Sequence, residues 1–139
     1  MSERSGYADY AAARTLAGTV LVFILAALPG AAAETGGCPS AMDVRYRLIP
    51  ESFEWTVDEG ITLEDVISVT RLFAVSIENH GEFISCKYDY DKGFLKLDGL
   101  PKKDNCRIAS VSGKWLDAGN GKLICDEEDA ARCSFRIEC

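Results

Sequence analysis

The chain has 139 residues, with 15 Lys and Arg against 22 Asp and Glu, and a formal charge of −7 at pH 7. This length predicts one domain, and 47% apolar with 27% charged residues is typical of a folded globular protein. The acidic balance argues against nucleic acid and anionic membrane surfaces as main partners, because both attract clustered Lys and Arg.

The first 33 residues have the pattern of a secretory signal peptide. Two arginines precede an apolar run at residues 20–28, which is far shorter than the roughly 20 residues of a membrane-spanning helix. A Pro-Gly pair ends the run, and Ala31–Ala33 supplies the small residues that a signal peptidase recognises. We predict cleavage after this triplet, giving an exported chain, periplasmic or extracellular. A retained membrane anchor and lipid attachment at Cys38 are the weaker alternatives.

All six cysteines follow the predicted cleavage site, at Cys38, Cys86, Cys106, Cys125, Cys133 and Cys139. An even number in a small exported domain predicts three disulfides. No Cys-x-x-Cys pair occurs, so the spacing fits neither a zinc knuckle nor a thioredoxin-like redox site. Among the 15 pairings that six cysteines allow, we favour Cys86 with Cys106, Cys125 with Cys133, and Cys38 with Cys139.

The first part of the exported chain predicts two strands and one short helix. Residues 42–49 alternate apolar and polar side chains up to Pro50, and residues 53–57 repeat that pattern. A period of two predicts half-buried strands. Thr62 and Asp65 have the spacing of a capping box, which predicts a helix that begins there.

A three-stranded meander is predicted next. Its strands are expected at residues 72–77, 82–90 and 94–97, with turns at 79–81, 91–93 and 98–99. Shorter β segments follow at residues 107–112, 114–116 and 122–125, and a Gly-rich turn at 117–121 joins the last two.

The C-terminus carries a strand pattern of its own. Cys133, Phe135, Ile137 and Cys139 fall on one face, which predicts a strand docked into the core and tied at its end by a disulfide. Seven or eight short strands predict a mainly β fold, a small antiparallel sandwich or barrel with one short helix and three disulfides. Residues 34–139 would form this single domain.

No catalytic arrangement stands out. His80 is the single histidine and lies in an Asn-His-Gly turn, and a general base needs a positioned nucleophile or substrate that the sequence does not indicate. The many acids permit the paired carboxylates of a glycosidase, but no spacing places two of them across a cleft. We predict a protein that is not an enzyme and uses no cofactor and no metal. A small carboxylate hydrolase is the least favoured alternative.

The sharpest charge feature is the run Asp126, Glu127, Glu128 and Asp129, between Cys125 and Cys133. Adjacent acids repel one another, so they are exposed or neutralised by a cation or by bases of a partner. The run lacks the spacing and the glycine of an EF-hand calcium loop. A solvated loop, a contact surface for a basic protein and a cation site are the three alternatives.

Two resemblances add expectations. Cys38-Pro39, Cys86-Lys-Tyr88 and Cys133-Ser-Phe135 resemble segments of short exported bacterial proteins of unknown function, which implies a periplasmic, disulfide-bonded, non-enzymatic domain. The segment Ser110–Trp115, Ser-Val-Ser-Gly-Lys-Trp, is similar to the Ser-Ala-Ser-Gly-x-Tyr loop of bacterial periplasmic inhibitors of c-type lysozyme. In that family the loop enters the lysozyme cleft and a serine meets the catalytic carboxylates.

By this resemblance Ser112 would meet the carboxylates, and Lys122 is a candidate supporting base. Trp115 replaces the usual Tyr; it is either a core residue or an exposed anchor of an interface. We therefore predict a small acidic protein-binding module, an inhibitor or immunity-type partner of a basic hydrolase. The alternative is a structural or assembly component of the cell envelope. The candidate partner-binding residues are Asp126, Glu127, Glu128, Asp129, Ser112, Lys114, Trp115 and Lys122.

Overall fold

The computed structural model describes residues 35–139, and the predicted signal peptide lies outside them. Within this range nine strands form two antiparallel sheets, which lie as a sandwich and do not close into a barrel. The predicted mainly β fold is confirmed. The strands are β1 Thr35–Gly36, β2 Phe53–Val57, β3 Arg71–Glu78, β4 Phe83–Tyr90, β5 Gly93–Pro101, β6 Arg107–Ser110, β7 Trp115–Gly119, β8 Lys122–Cys125 and β9 Phe135–Glu138.

The strand predicted at residues 42–49 is wrong, because a short helix, α1 (Ala41–Arg45), forms there. Ser40 begins it: its hydroxyl accepts from the Asp43 N–H at 3.1 Å, and the Asp43 carboxylate accepts from the Ser40 N–H at 3.3 Å. This reciprocal pair is a capping box. Within α1 only Val44 is buried, so the alternating apolar residues do not share a core-facing side.

A second helix, α2 (Leu63–Ile67), begins where the sequence predicts it. The Thr62 hydroxyl accepts from the Asp65 N–H at 3.2 Å, and the Asp65 carboxylate accepts from the Thr62 N–H at 2.9 Å. Two single-turn 3₁₀ helices lie at Asn79–Gly81 and Ala130–Arg132. Among residues 35–139 no helix has the length and apolarity needed to cross a membrane.

The larger sheet has the strand order β2-β5-β4-β3-β8-β7, and its centre is the predicted meander of β3, β4 and β5. The turn predicted at residues 98–99 is wrong, because β5 continues through them to Pro101. Gly99 is needed there for packing. A Cβ on Gly99 would lie 2.8 Å from the ring of Trp55, the residue opposite it on β2.

The smaller sheet has the order β1-β9-β6, with the C-terminal strand in the middle. Phe135 of β9 is 2% exposed and packs edge-on against Phe53 of the larger sheet, with ring centroids 5.9 Å apart. The C-terminus is thus docked into the core, as predicted. The most deeply buried side chains between and around the sheets are Val69, Val75, Ile77, Ile84, Cys86, Tyr88, Leu95, Cys133 and Phe135.

Three disulfides form, and one of the three predicted pairs, Cys125–Cys133, is confirmed. The other two pairs are wrong: Cys38 bonds to Cys86, and Cys106 bonds to Cys139. Strand neighbours explain the second bond, because β6 and β9 are paired antiparallel and bring the start of one beside the end of the other. Three disulfides are typical of a protein that folds in an oxidising compartment.

Next to Cys38–Cys86, Tyr88 secures the N-terminal segment. Its buried hydroxyl donates to the Pro39 carbonyl at 2.6 Å. Burial raises the pKa of Tyr88 above its usual range, so the hydroxyl stays neutral and keeps its role as a donor. A disulfide and a buried hydrogen bond thus fix the same short stretch of chain to β4.

Candidate partner-binding site

Two loops that the sequence singles out separately lie side by side. We call residues 110–114 and 126–134 together the two-loop surface. The β7–β8 hairpin joins them, because Trp115 pairs with Cys125 at its open end. The Asp126 N–H then donates to the Lys114 carbonyl at 2.7 Å, and the Cys125–Cys133 disulfide closes the second loop.

A pair of serines connects the two loops. The Val111 N–H donates to the Ser134 carbonyl at 2.9 Å, and the Ser134 N–H donates to the Ser112 carbonyl at 3.0 Å. The Ser112 N–H donates to the Ser134 hydroxyl at 3.1 Å, and the two hydroxyl oxygens are 2.5 Å apart. One O–H satisfies this hydroxyl contact. The other can donate outward to an acceptor on a partner.

Gly113 allows the loops to approach this closely. Its φ of +91° suits glycine. A Cβ at this position would lie 2.9 Å from both the Arg132 carbonyl oxygen and the Cys133 Cα. Because these neighbours are backbone atoms of the second loop, they cannot move aside as a side chain could. The glycine of the Ser-x-Ser-Gly pattern is thus required by the packing of the two loops.

The four acids of the run have different roles. Asp126 forms an ion pair with the Lys114 ammonium at 3.3 Å, and the Glu127 carboxylate accepts from the Lys114 N–H at 2.7 Å. Asp129 accepts from the Ala131 N–H at 3.0 Å and caps the 3₁₀ turn. Glu128 is exposed and makes no hydrogen bond or ion pair with any of residues 35–139. Its charge is therefore directed at solvent.

Trp115 contributes to the support of the loop as well as to its surface. It is half-buried and packs against the core, and its indole N–H donates to the Ser112 carbonyl at 3.0 Å. This half-buried position agrees with the predicted core role, and the role as an interface anchor stays a prediction.

Lys122 lies away from the two-loop surface. Its ammonium is 3.4 Å from the Glu78 carboxylate of β3, and it stands at the closed end of the β7–β8 hairpin, opposite Gly119. Two residues of β8, Leu123 and Ile124, lie between it and Cys125, a distance of about 10 Å along the strand. The structure thus places Lys122 with Glu78 and not with Ser112.

His80 contacts the closed end of the β7–β8 hairpin. It has a left-handed φ of +57° in the 3₁₀ turn, and its N–H donates to the Gly121 carbonyl at 2.8 Å. His80 borders an open cavity of about 540 Å³, whose lining includes Ile77, Ile108 and Leu123. The turn position was predicted, whereas the contact with the hairpin tip was not.

No group of three or more His, Cys, Asp or Glu side chains within residues 35–139 is arranged to hold a metal ion. Ser134 is the site residue that sequence reasoning missed. The predicted Cys125–Cys133 bond does not by itself place Ser134 beside Ser112. That contact follows from the pairing of β6 with β9, which the sequence did not indicate. No protein-family model, no curated protein and no solved structure matches the chain. What the structure defines is a small, disulfide-bonded β-sandwich with a rigid two-loop surface on one side.

Proposed function

We propose that this protein is an exported binding module that inhibits or neutralises a basic hydrolase through the two-loop surface. The observation that carries the proposal is the joining of two independently predicted segments, the serine loop and the acidic loop, into one rigid surface. A disulfide, a required glycine and the serine pair hold it in place. A surface that is ordered before binding loses less conformational entropy when a partner binds.

The chemistry of the surface suits a basic enzyme with catalytic carboxylates. The outward O–H of the serine pair can donate to a carboxylate, and a hydrogen bond to an ionised acceptor is among the stronger ones. Glu128 and the flanking acids would attract Lys and Arg around the partner's cleft and accelerate association. The proposed result is a plug that covers the cleft and excludes substrate. A c-type lysozyme is the first enzyme to assay, because Ser110–Trp115 resembles the inhibitory loop of that family.

Affinity capture with matched baits tests the proposal. The oxidised protein and its Glu128→Gln variant are immobilised in parallel, exposed to the envelope and secreted fractions at low salt, and eluted with rising salt. We expect one basic hydrolase to elute later from the wild-type bait and to associate with it about two to three times faster. Glu128→Gln is suited to this test because the exposed side chain makes no hydrogen bond or ion pair within residues 35–139.

The control bait carries Asp91→Asn, an equal charge change at an exposed position in the turn between β4 and β5. It should capture the hydrolase as the wild type does. Equal loss of binding from both variants would show that net charge, and not the two-loop surface, attracts the partner. Recovery of the bait alone, or of envelope scaffold proteins, would instead favour the structural or assembly role.

A further inference from the structure

The opposite edge of the larger sheet is formed by β2. Among residues 35–139, β5 is the one strand hydrogen-bonded to β2. The Lys102 N–H donates to the Ser52 carbonyl, and antiparallel pairing alternates. Glu54 and Thr56 therefore bond to β5, while the N–H and C=O groups of Phe53, Trp55 and Val57 point outward. Such a row of groups can pair with an added strand.

An apolar groove runs beside this row. It has a volume of about 200 Å³, and its lining includes Val44, Ile49, Trp55, Val57, Val66 and Leu97. Val57 is 42% exposed. Side chains of an added strand would alternate like those of β2. Residues opposite Phe53, Trp55 and Val57 would enter the groove side, and the residues between them would lie on the other face of the sheet.

Acidic residues determine which side chains an added strand could carry on the face away from the groove. Glu54 is exposed there, and Glu51, Asp58 and Glu59 flank the strand, all exposed. Arg47 lies on the groove side, so a basic side chain is disfavoured in the groove and favoured beside Glu54. The two faces of an added strand thus have different requirements, apolar on one and basic on the other.

The same acids disfavour a second copy of this chain. A symmetric antiparallel pair of β2 strands can be centred on Glu54, Trp55 or Thr56. Centring on Glu54 places the two Glu54 side chains opposite each other. Centring on Trp55 places Glu51 opposite Glu59, and centring on Thr56 places Glu54 opposite Asp58. Like charges directly opposite each other are destabilising. A basic partner strand avoids this repulsion in every register.

We propose that β2 binds an extended segment of a partner protein that alternates apolar and basic side chains, by strand addition to this edge. The inference does not rest on the function proposed for the two-loop surface. Five strand spacings, about 24 Å, separate β2 from β7. One protein could therefore hold a partner at each edge of the sheet at the same time.

A synthetic peptide tests the proposal directly. The probe is a blocked nine-residue peptide that alternates lysine with valine, titrated into the isotope-labelled, disulfide-bonded protein. We expect chemical-shift changes at Phe53, Trp55 and Val57 and slowed exchange of their amide protons. The control peptide is N-methylated at every valine, which keeps both rows of side chains and removes the donors that would face β2. It should bind at least about tenfold more weakly.

Two variants of the protein separate backbone pairing from charge. Val57→Pro removes one outward N–H and leaves the bonds to β5 intact, so binding should weaken while the fold persists. Glu54→Lys should weaken the lysine peptide about fivefold at low salt. Shifts confined to Asp126–Asp129, unchanged affinity for the N-methylated peptide, or no shifts up to about 1 mM peptide would overturn the proposal. So would a dimer that forms through β2 without peptide, since the occupant would then be a second copy.

Discussion

The two edge strands of the larger sheet differ in the regularity of their pairing. At one edge, β7 pairs with β8 in a register that shifts between Asp117 and Gly119, and the Asp117 carboxylate accepts from the Gly119 N–H at 2.8 Å. A bulge of this kind discourages strand addition. At the other edge, β2 keeps an unbroken register with β5 over five residues. Strand addition is therefore less favourable at the irregular β7 edge than at the regular β2 edge.

The difference extends to what lies beside each edge. Next to β7, the two-loop surface is held by the Cys125–Cys133 disulfide and by Gly113 against the backbone of the second loop. Beside β2, the neighbours are two five-residue helices, each begun by a capping box. Covalent and backbone contacts join the two loops of the first region directly to each other, whereas the groove beside β2 is lined by side chains that can shift. We infer that the first suits a partner of fixed shape and the second an extended peptide.

Among the substitutions that test this difference, Gly113→Ala should lower the free energy of unfolding most. The added Cβ would meet backbone atoms of Arg132 and Cys133 at 2.9 Å, and φ is positive. We expect destabilisation by roughly 3 kcal/mol, measured by urea unfolding. Gly119→Ala is the control, because it has a similar φ and nothing within 4 Å of its Cβ; it should cost only about 1 kcal/mol. Equal losses of unfolding free energy in the two variants would show that the positive φ, and not the close contact with the second loop, causes the destabilisation at Gly113.

Removal of the Cys125–Cys133 bond by double Ala substitution should cause the second-largest loss of stability. The bond spans a sequence separation of 8, and loop closure of that size contributes about 2.5 kcal/mol. Amide exchange should rise in residues 126–134 and stay unchanged in β2. Faster exchange in both regions would contradict the independence of the two edges.

Gly99→Ala tests the packing at the β2 edge. Its Cβ would lie 2.8 Å from the Trp55 ring, which is a side chain at an edge strand and can shift. The expected loss is about 1.5 kcal/mol, half that of Gly113→Ala, with a change in tryptophan fluorescence. A loss as large as that at Gly113 would mean that the β2 edge is as rigid as the two-loop surface.

Asp65→Ala should have the smallest of these effects, and one that depends on pH. The hydrogen bond from the Thr62 N–H is the main cause that lowers the pKa of Asp65, and Lys92 lies 3.3 Å from the carboxylate. A lowered pKa stabilises the fold above the ordinary value near 3.9, and the contribution is lost as pH falls through the folded-state pKa. We expect Tm to fall by about 4 °C at pH 7 and the difference to shrink toward pH 2. Glu64→Ala, on the same helix, is the control and should leave Tm nearly unchanged.

Local features of the chain were predictable, and features set by strand neighbours were not. The capping box at Thr62 and Asp65 and the short disulfide Cys125–Cys133 each depend on residues close in sequence. The disulfide Cys38–Cys86 spans 48 residues and depends on which strands meet, which alternation does not specify. The helix α1 was missed because its alternating residues imitate a strand, although Ser40 and Asp43 form the same box as in α2.

The candidate site divides in the same way. The acidic run was identified from local composition, and Ser112 and Lys114 from the resemblance of their loop to that of the lysozyme inhibitors; the structure brings the two segments together. Ser134 was missed because its role depends on β9 lying beside β6. Lys122 was named as a supporting base by resemblance, but the antiparallel hairpin places it at the opposite end from Ser112. Proximity along the chain is a poor guide wherever a hairpin intervenes.

A chemical-shift footprint is the most direct test of partner binding at the two-loop surface. The isotope-labelled, disulfide-bonded protein would be titrated with the basic hydrolase recovered by capture, while hydrolase activity is measured in the same samples. We predict the largest shift changes at residues 110–115 and 126–134, with activity lost in step with complex formation. A footprint confined to residues 53–57, or a complex that leaves the hydrolase fully active, would contradict the proposed function.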